Sequence, residues 1–349
     1  MSTLAATNLK HASSASNNIV LDTSGNATFA GTAVPSSSFL RNRIINGNMY
    51  IAQRATSATV TAGTGVPTAS TGYPAVDRFF AYSTGANVTA AQVSGSGSNR
   101  NLFRVTGAAS VTAVGVGQRI EALNSYDLAG QTCTLSVDLA NSLLTTVTWT
   151  ANYATTTDTF GTIGTPTKTQ IATGTFTVTS TLTRYSVNIS VPAAATTGIE
   201  ILLTVGAQTS GTWDIGNVQF EAGTAATPFE RRQYGQELAL CQRYYTKFIS
   251  NGTAYVGIGC GVSESATSAS IIVKYPVAMR ASPTASQSTT GLYDGSSVKA
   301  VTALSTNYQG PDCLNINITA GGGGLTVGRG TTFITNNSSA GYFDLSAEL

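Results

Sequence analysis

The sequence predicts an all-β chain built as a larger sandwich followed by a smaller one. Three observations carry this. Apolar and β-branched residues alternate with period two along much of the chain, as half-buried strands do. Gly, Thr, Asn and Ser clusters separate these runs at the short spacing of a sandwich. Only one segment, 234–248, has the period of a helix. At 349 residues the chain has room for two or three domains.

Residues 1–40 are rich in Ser, Ala, Asn and Thr and cannot build a core alone. Within them, Asp22-Thr-Ser-Gly-Asn26 reads as a turn between two short strands. The resulting hairpin carries Ile19, Leu21 and Phe29. A lone hairpin is marginal in water. It is expected to need several copies wound together, the alternative being an unfolded tail.

Residues 41–233 read as the first sandwich, a jelly roll. The segment 43–52 opens it. Strands are expected at 73–82, 102–106, 117–123, 132–139, 147–153, 174–178, 183–191, 199–205 and 213–221. In the last of these, strict alternation sends Trp213, Ile215, Asn217, Gln219 and Glu221 one way. Asp214, Val218 and Phe220 go partly the other way, and Trp213 and Phe220 both read as core.

A linking helix is expected over 234–250. Leu238, Cys241, Tyr245 and Phe248 recur at i, i+3, i+7 and i+10, one apolar stripe at heptad spacing. Such a helix is too short to stand alone. It packs either on its own chain or on copies of itself. Residues 251–349 return to strands at 254–260, 270–275, 292–301, 314–318, 324–327 and 341–345, interrupted by a loop at 276–283. This reads as the smaller sandwich. The glycines at 321–324 form a flexible turn. No Lys-Ser/Thr and no helix follows them, so they are not a phosphate cradle.

Charged residues make up only 10% of the chain, against roughly 25% in ordinary globular proteins. The surface is therefore Thr, Ser, Asn, Gln and Gly. That disfavours a cytosolic metabolic enzyme and suits β-rich extracellular or virion proteins. Net charge is +2 with no basic run, which argues against nucleic-acid binding. Arg41, Arg43 and Arg54 fall in a stretch free of acidic residues between Asp22 and Asp77. They hint at an acidic partner but also suit ordinary surface or interface positions. No signal peptide is expected, and no run reaches the about 20 apolar residues that span a bilayer. The expectation is a soluble chain made in a reducing cytoplasm.

The candidate chemistry is sparse. His11 is the only histidine, so a Ser-His-Asp or Cys-His mechanism lacks a base and histidine ligation of a metal is excluded. The four cysteines are widely spaced, with no zinc pattern. Cys133 and Cys241 read as small buried hydrophobes. Asp214, with carbonyls near 46–48, is a weak calcium candidate. No metal or cofactor is assigned, and no catalytic set. Glycoside hydrolysis needs only two carboxylates, but the sixteen Asp and Glu are scattered singly. Binding is better supported, because aromatic faces hold sugars. Tyr82, Trp149 and Tyr153 are the candidates. Trp149 shares a face with Val147, which also suits a core position, and Tyr153 is the one expected at the surface.

Five segments together carry a resemblance. They are Arg43-Ile-Ile-Asn-Gly-Asn-Met-Tyr-Ile-Ala-Gln-Arg54, Gly72-Tyr-Pro-Ala-Val-Asp-Arg-Phe-Phe80, Gln118-Arg-Ile-Glu121, Leu128-Ala-Gly-Gln-Thr-Cys-Thr-Leu-Ser-Val137 and Trp213-Asp-Ile-Gly-Asn-Val-Gln-Phe-Glu-Ala-Gly. The last runs on through Thr227-Pro-Phe-Glu-Arg-Arg232 to Tyr234-Gly-Gln-Glu-Leu-Ala-Leu-Cys-Gln-Arg-Tyr-Tyr245. In this order the chain resembles bacteriophage tail fibre and minor tail proteins with a carbohydrate-binding-module-like jelly roll. Residues 9–26 are similar to virion-proximal segments of such fibres. The resemblance implies a homotrimer on the virion, assembled in the host cytoplasm. It implies docking to other tail or capsid proteins through residues 1–40, at Ile19, Leu21 and Phe29. It also implies that the β-domains bind a host cell-surface glycan or receptor. At 349 residues the chain is short for a fibre, so a capsid (head) fibre or decoration protein is the alternative, and a depolymerase a more distant one.

Overall fold

The computed structural model describes residues 41–349 except 69, 251 and 311. Before residue 41 it describes 7–10, 12, 13, 19–21, 23 and 27–29. Near the N-terminus, β1 (Asn8–Leu9), β2 (Ile19–Leu21) and β3 (Ala27–Phe29) form an antiparallel sheet with β2 in the middle. Ile19 lies opposite Leu9 on one side and Phe29 on the other. The two expected strands pair, and one more strand joins them; of the expected turn at 22–26, all but Thr23 lies outside the described residues.

The sandwich has eleven strands. They are β4 (Ser57–Val60), β5 (Phe80–Thr84), β6 (Val88–Ser94), β7 (Asn101–Thr106), β8 (Ala113–Ile120), β9 (Thr132–Asn141), β10 (Thr146–Ala154), β11 (Lys168–Thr177), β12 (Thr183–Ser190), β13 (Ile199–Val205) and β14 (Thr212–Ala222). Two antiparallel sheets result, ordered β11-β10-β13-β8-β5 and β12-β9-β14-β7-β6-β4. Their facing sides supply one core. Leu135, Val137, Trp213, Phe220 and Phe103 enter from the second sheet, and Val116, Ile201, Leu203 and Trp149 from the first. Burying each large apolar side chain contributes about 1.5–3 kcal/mol. The alternation of β14 is broken by a bulge. Gly216 faces Asp138 and Gln219 faces Ser136, so β14 carries one residue more than β9. Asn217 absorbs it with φ +42°. That resets the phase: Trp213, Ile215, Val218 and Phe220 all face the core, whereas strict alternation would have split them.

The rest comprises α1 (Tyr234–Gln242), β15 (Tyr245–Ile249), β16 (Gly257–Ser263), β17 (Ser268–Lys274), β18 (Thr284–Ser288), β19 (Thr290–Tyr293), β20 (Val298–Gln309), β21 (Cys313–Ala320), β22 (Gly330–Thr335) and β23 (Tyr342–Ser346). The chain is thus all-β apart from one α-helix and two short 3₁₀ turns among the described residues. The second β unit is closed rather than an open sandwich. β16-β17-β21-β20-β19-β22 form a barrel because β22 pairs with both β16 and β19. Closure leaves no free edge. The small sheet β15-β23-β18 covers the barrel, and its Phe343 packs edge-on to Phe333 at 5.3 Å.

Several expected boundaries move. Residues 324–327 form no strand, and the strand follows at β22. The stretch 292–301 splits where Asp294 accepts the Ser296 amide and hydroxyl, an Asx-type turn. Strands β4, β6 and β18, rich in Thr, Ala and Ser, escaped the apolar pattern. The helix ends at Gln242. Tyr245 and Phe248 lie on β15, where they face opposite sides, so the heptad stripe is not continuous. The aromatic and β-branched run from Tyr244 to Ile249 favours a strand, and β23 pairs with it.

The end of the chain joins the two units. Glu348 is 1% exposed and Arg78 is 1% exposed, and the two form an ion pair. Arg54 lies 3.2 Å from the other Glu348 oxygen. Arg78 stacks on the Tyr244 ring at 3.5 Å and donates to the Arg119 carbonyl at 2.6 Å. Arg119, equally buried, pairs with Glu200 at 3.0 Å and donates to the Leu349 carbonyl at 2.7 Å. From the barrel side, Arg280 donates to the carbonyls of Ala347 and Glu348. Close by, Asp77 accepts the Gln53 amide at 2.9 Å and its side chain at 2.6 Å.

Removing one partner of a buried pair strands the other charge, at about 3–5 kcal/mol. Glu348→Ala is therefore expected to lower stability by that order in chemical denaturation. The joint swap Arg78→Met with Glu348→Leu is expected to recover most of it. Burial pushes the Asp77 carboxyl up to about 6, against the lowering pull of Arg54 and Gln53. Its folded-state value lies above the unfolded one near 3.8. Its stabilising contribution is thus full below that value and is lost as pH rises through about 6. The melting temperature of wild type relative to Asp77→Asn should rise on going from pH 7 to 5. A constant difference would refute this.

Candidate functional site

The three aromatic candidates do not form a platform. Tyr82, on β5, faces outward from the five-stranded sheet but is only 8% exposed, under Tyr73, Leu202, Val66 and Ile163. Its ring lies over Gly115, where an added Cβ would meet it at 2.1 Å. Trp149 faces the other way, into the sandwich core, and is 6% exposed beside Phe176. Tyr153 shares that inward face and is half-buried against the same core. Tyr82 and Trp149 therefore have no ring face free for a sugar, and Tyr153, the one expected nearer the surface, is partly exposed where Trp149 is buried.

The structure instead opens a cleft of 720 Å³, lined by polar and apolar groups alike, on the outer face of the six-stranded sheet. Its floor follows from alternation. Because Leu135, Val137 and Leu139 of β9 point into the core, Ser136 and Asp138 point out. On the neighbouring strand β12, Tyr185 and Val187 turn toward the core and Arg184 turns out beside Asp138. On β14 the bulge brings Asn217 to the same spot. The Asp138 carboxylate accepts Asn99 Nδ2 at 2.7 Å, Asn217 Nδ2 at 2.8 Å and Arg184 Nη1 at 3.1 Å. Arg184 also donates to the Ser136 hydroxyl at 2.6 Å and to the Asn217 carbonyl. A carboxylate held by three donors is fixed in place before any ligand arrives.

The walls are the β6–β7 turn, Ser96 to Asn99, and the segment 226–231 after β14. That segment is clamped to the sheet. Glu221 accepts the Thr227 amide at 2.9 Å and its hydroxyl, and Gln219 accepts the Glu230 amide at 2.7 Å. Asn188 and Thr134 hold the carbonyls of Thr224 and Gly223. Half-buried Phe229 faces the cleft with the Arg231 guanidinium 5.7 Å from its ring, and Arg231 reaches across to the Ser98 carbonyl. None of Asp138, Arg184, Asn217, Asn99, Phe229 or Arg231 was picked out from sequence. Alternation alone could have marked Ser136 and Asp138 as outward polar groups.

Other candidates fall elsewhere. Ile19 is half-buried and Leu21 is exposed on the N-terminal sheet, while the Phe29 side chain lies outside the described residues, as does His11. Leu238 and Cys241 pack on their own chain, with Ile45, Phe160 and Leu349. Tyr245 is buried at the junction and Phe248 packs on the barrel core. Asp214 is held by both arms of Arg104 at 2.7 Å, away from any calcium role. Arg43 pairs with Asp127 and Arg54 with Glu348. Cys133 and Cys241 are buried, and burial raises the Cys133 thiol to about 11. Among the described residues no group of three or more His, Cys, Asp or Glu is placed to hold a metal, and no helix is long and apolar enough to cross a membrane.

No protein-family model and no curated protein matches the chain. Among solved structures it is similar to a CBM4 domain, at 12% identity and TM-score 0.35, over 51% of this chain and 98% of that one. It is also similar to the enzymatically active domain of tailspike protein 4 of bacteriophage CBA120, at 18% identity and TM-score 0.32, over 52% of this chain and 22% of that one. A third is the CBM22-2 xylan-binding domain from Paenibacillus barcinonensis, at 18% identity and TM-score 0.29, over 41% and 91%. Likenesses this distant leave the site to be read from its own geometry.

Gly216 sits under the cleft because an added Cβ there would lie 2.3 Å from Asn99 Oδ1 and 2.6 Å from Leu102. Gly216→Ala is expected to cost about 1–3 kcal/mol as an overpacked site. It should also detach Asn99 from Asp138, visible as a shifted Asn99 side-chain amide resonance. An unshifted resonance would contradict this packing.

Proposed function

We propose that this chain is a bacteriophage virion protein, an adhesin of the tail-fibre type, that binds a host cell-surface glycan in the cleft of its first sandwich. The observation that carries the glycan assignment is the preformed cleft itself. Carboxylate, amide and guanidinium groups are fixed side by side there, next to an aromatic ring. Polyols are recognised by such planar donors and acceptors, with a ring against the sugar's C–H face. A site organised beforehand loses little entropy on binding. The phage assignment rests on the ordered sequence segments between residues 9 and 245. In this reading the N-terminal sheet docks on the particle, with exposed Leu9, Val20 and Leu21 available for contact, and three copies assemble on the virion.

Binding without cleavage is part of the proposal. A glycosidase flanks its bond with two carboxyl groups roughly 5–9.5 Å apart. The residues lining this cleft include one carboxylate, Asp138, already engaged by three donors.

Purified chain is expected to bind surface polysaccharide of the host and to sediment as a trimer at micromolar concentration. Arg184→Ala should weaken glycan binding at least about tenfold, or about 1.4 kcal/mol, with melting temperature largely retained because the Arg184 side chain is partly exposed. Asp138→Asn should weaken it likewise while also lowering the melting temperature, since Asp138 is buried. No reducing ends should appear during incubation. Wild-type binding in both variants would remove the cleft from consideration. Failure of the protein to compete with phage adsorption would favour a capsid fibre or decoration role.

A further inference from the structure

A second cavity, of 450 Å³, lies between sandwich loops and the outer face of the β15-β23-β18 sheet. Period-two alternation makes it polar. Phe248, Phe343, Leu345 and Ala285 turn into the barrel core. Their strand neighbours Lys247, Tyr342, Asp344 and Ser286 therefore turn outward, with Lys247 opposite Asp344 and Asp344 opposite Ser286. Arg54 overhangs this face from the sandwich, its guanidinium flat on the Tyr245 ring at 3.6 Å.

Two cations are thus held together. Lys247 Nζ donates to the Arg54 carbonyl at 2.7 Å and sits 4.6 Å from the Tyr342 ring centre. Arg54 faces Glu348 on its inner side and donates from Nη2 to Ser346 Oγ at 3.4 Å, but Glu348 is shared with Arg78, and buried Arg54 Nη1 has no acceptor among the described residues. Asp344 is in the groove but is taken by the Tyr245 hydroxyl at 2.8 Å and the Ser286 hydroxyl at 2.6 Å. It forms no ion pair with Lys247. Burial, then Arg54, pull the Lys247 ammonium below its ordinary value, with Asp344 acting in the opposite direction. The groove therefore has cationic donors on one side, a carboxylate with hydroxyls on the other, and a half-buried tyrosine ring beside them.

We propose that this groove is a second saccharide site, selective for a sugar acid. The sugar's carboxylate sits at Lys247 and Arg54, its hydroxyls reach Asp344 and Ser286, and its ring lies on Tyr342. The site is independent of the Asp138 cleft. A phage-borne protein with both would hold an acidic polysaccharide at two separated points, adding avidity without new contacts.

The test is calorimetric titration of the full chain with glucuronate, glucose and inorganic phosphate. Glucuronate is expected to bind saturably, at least about tenfold more tightly than glucose. Lys247→Met and Tyr342→Ala should each weaken it about tenfold, and Tyr308→Ala, at an exposed barrel position outside the groove, should leave it unchanged. Lys247→Met keeps the aliphatic stem, and Tyr342→Ala removes a ring outside the barrel core, so one variant reads charge and the other stacking. No saturation by about 50 mM, or equal binding of glucose, would overturn the proposal. So would phosphate binding as tightly as glucuronate with Tyr342→Ala unaffected, since that marks an anion site alone.

Discussion

A carboxylate shut away from water must be met by cations and hydrogen bonds or it will not stay charged. Glu348 is such a carboxylate, and the junction of this protein is arranged around it. Arg78 comes from the loop before β5, Arg54 from the loop before β4, and both meet on one side chain near the end of the chain. Arg78 is in turn steadied by Tyr244, and Arg119 by Glu200. Because Glu348 lies two residues beyond β23, holding it also fixes where β23 lies against β15 and β18. The placement of the small sheet and of the groove beside it follows. A chain with so few charged residues places many of them here, inside, and leaves its surface to Thr, Ser and Asn.

The same economy shapes the cleft. One extra residue in β14 does two things. It keeps Val218 and Phe220 in the core after Ile215, and it swings Asn217 to Asp138. A positive φ at a non-glycine residue is a local strain, and here the packed core on one side and the Asp138 hydrogen bond on the other hold it. Core and site are thus two consequences of one bulge. The wall is treated alike: buried Glu221 and Gln219 pin the segment after β14 back over the sheet it has just left.

What could be read from sequence was local. Alternation located most sandwich strands but split Trp213 from Phe220, which read as core despite it and both lie there. Trp149 stood as a sugar-binding candidate with a core position, beside Val147, as its alternative, and it lies in the core. The Asn217 bulge was not legible, because it depends on which residues of β9 lie opposite. The helix was over-extended through Tyr245 and Phe248 because heptad spacing cannot reveal a partner strand about a hundred residues later. The cleft was missed because its members come from five separate stretches, and amides or arginines among Thr-rich strands carry no local signature. Aromatics were the visible sugar-binding signal, but in a sandwich large rings fill cores first, as Trp149 does, while Tyr82 is covered on the outer face of its sheet.

In the proposed function the Asp138 cleft takes up a glycan without rearranging. A crystal structure of the full chain with an oligosaccharide from the host surface tests it most directly. A sugar ring against Phe229, with hydroxyls on Asp138 and Arg184 and the Asn99 and Asn217 contacts unchanged, is the expected result. An oligosaccharide bound only elsewhere on the chain, with this cleft empty, would contradict it.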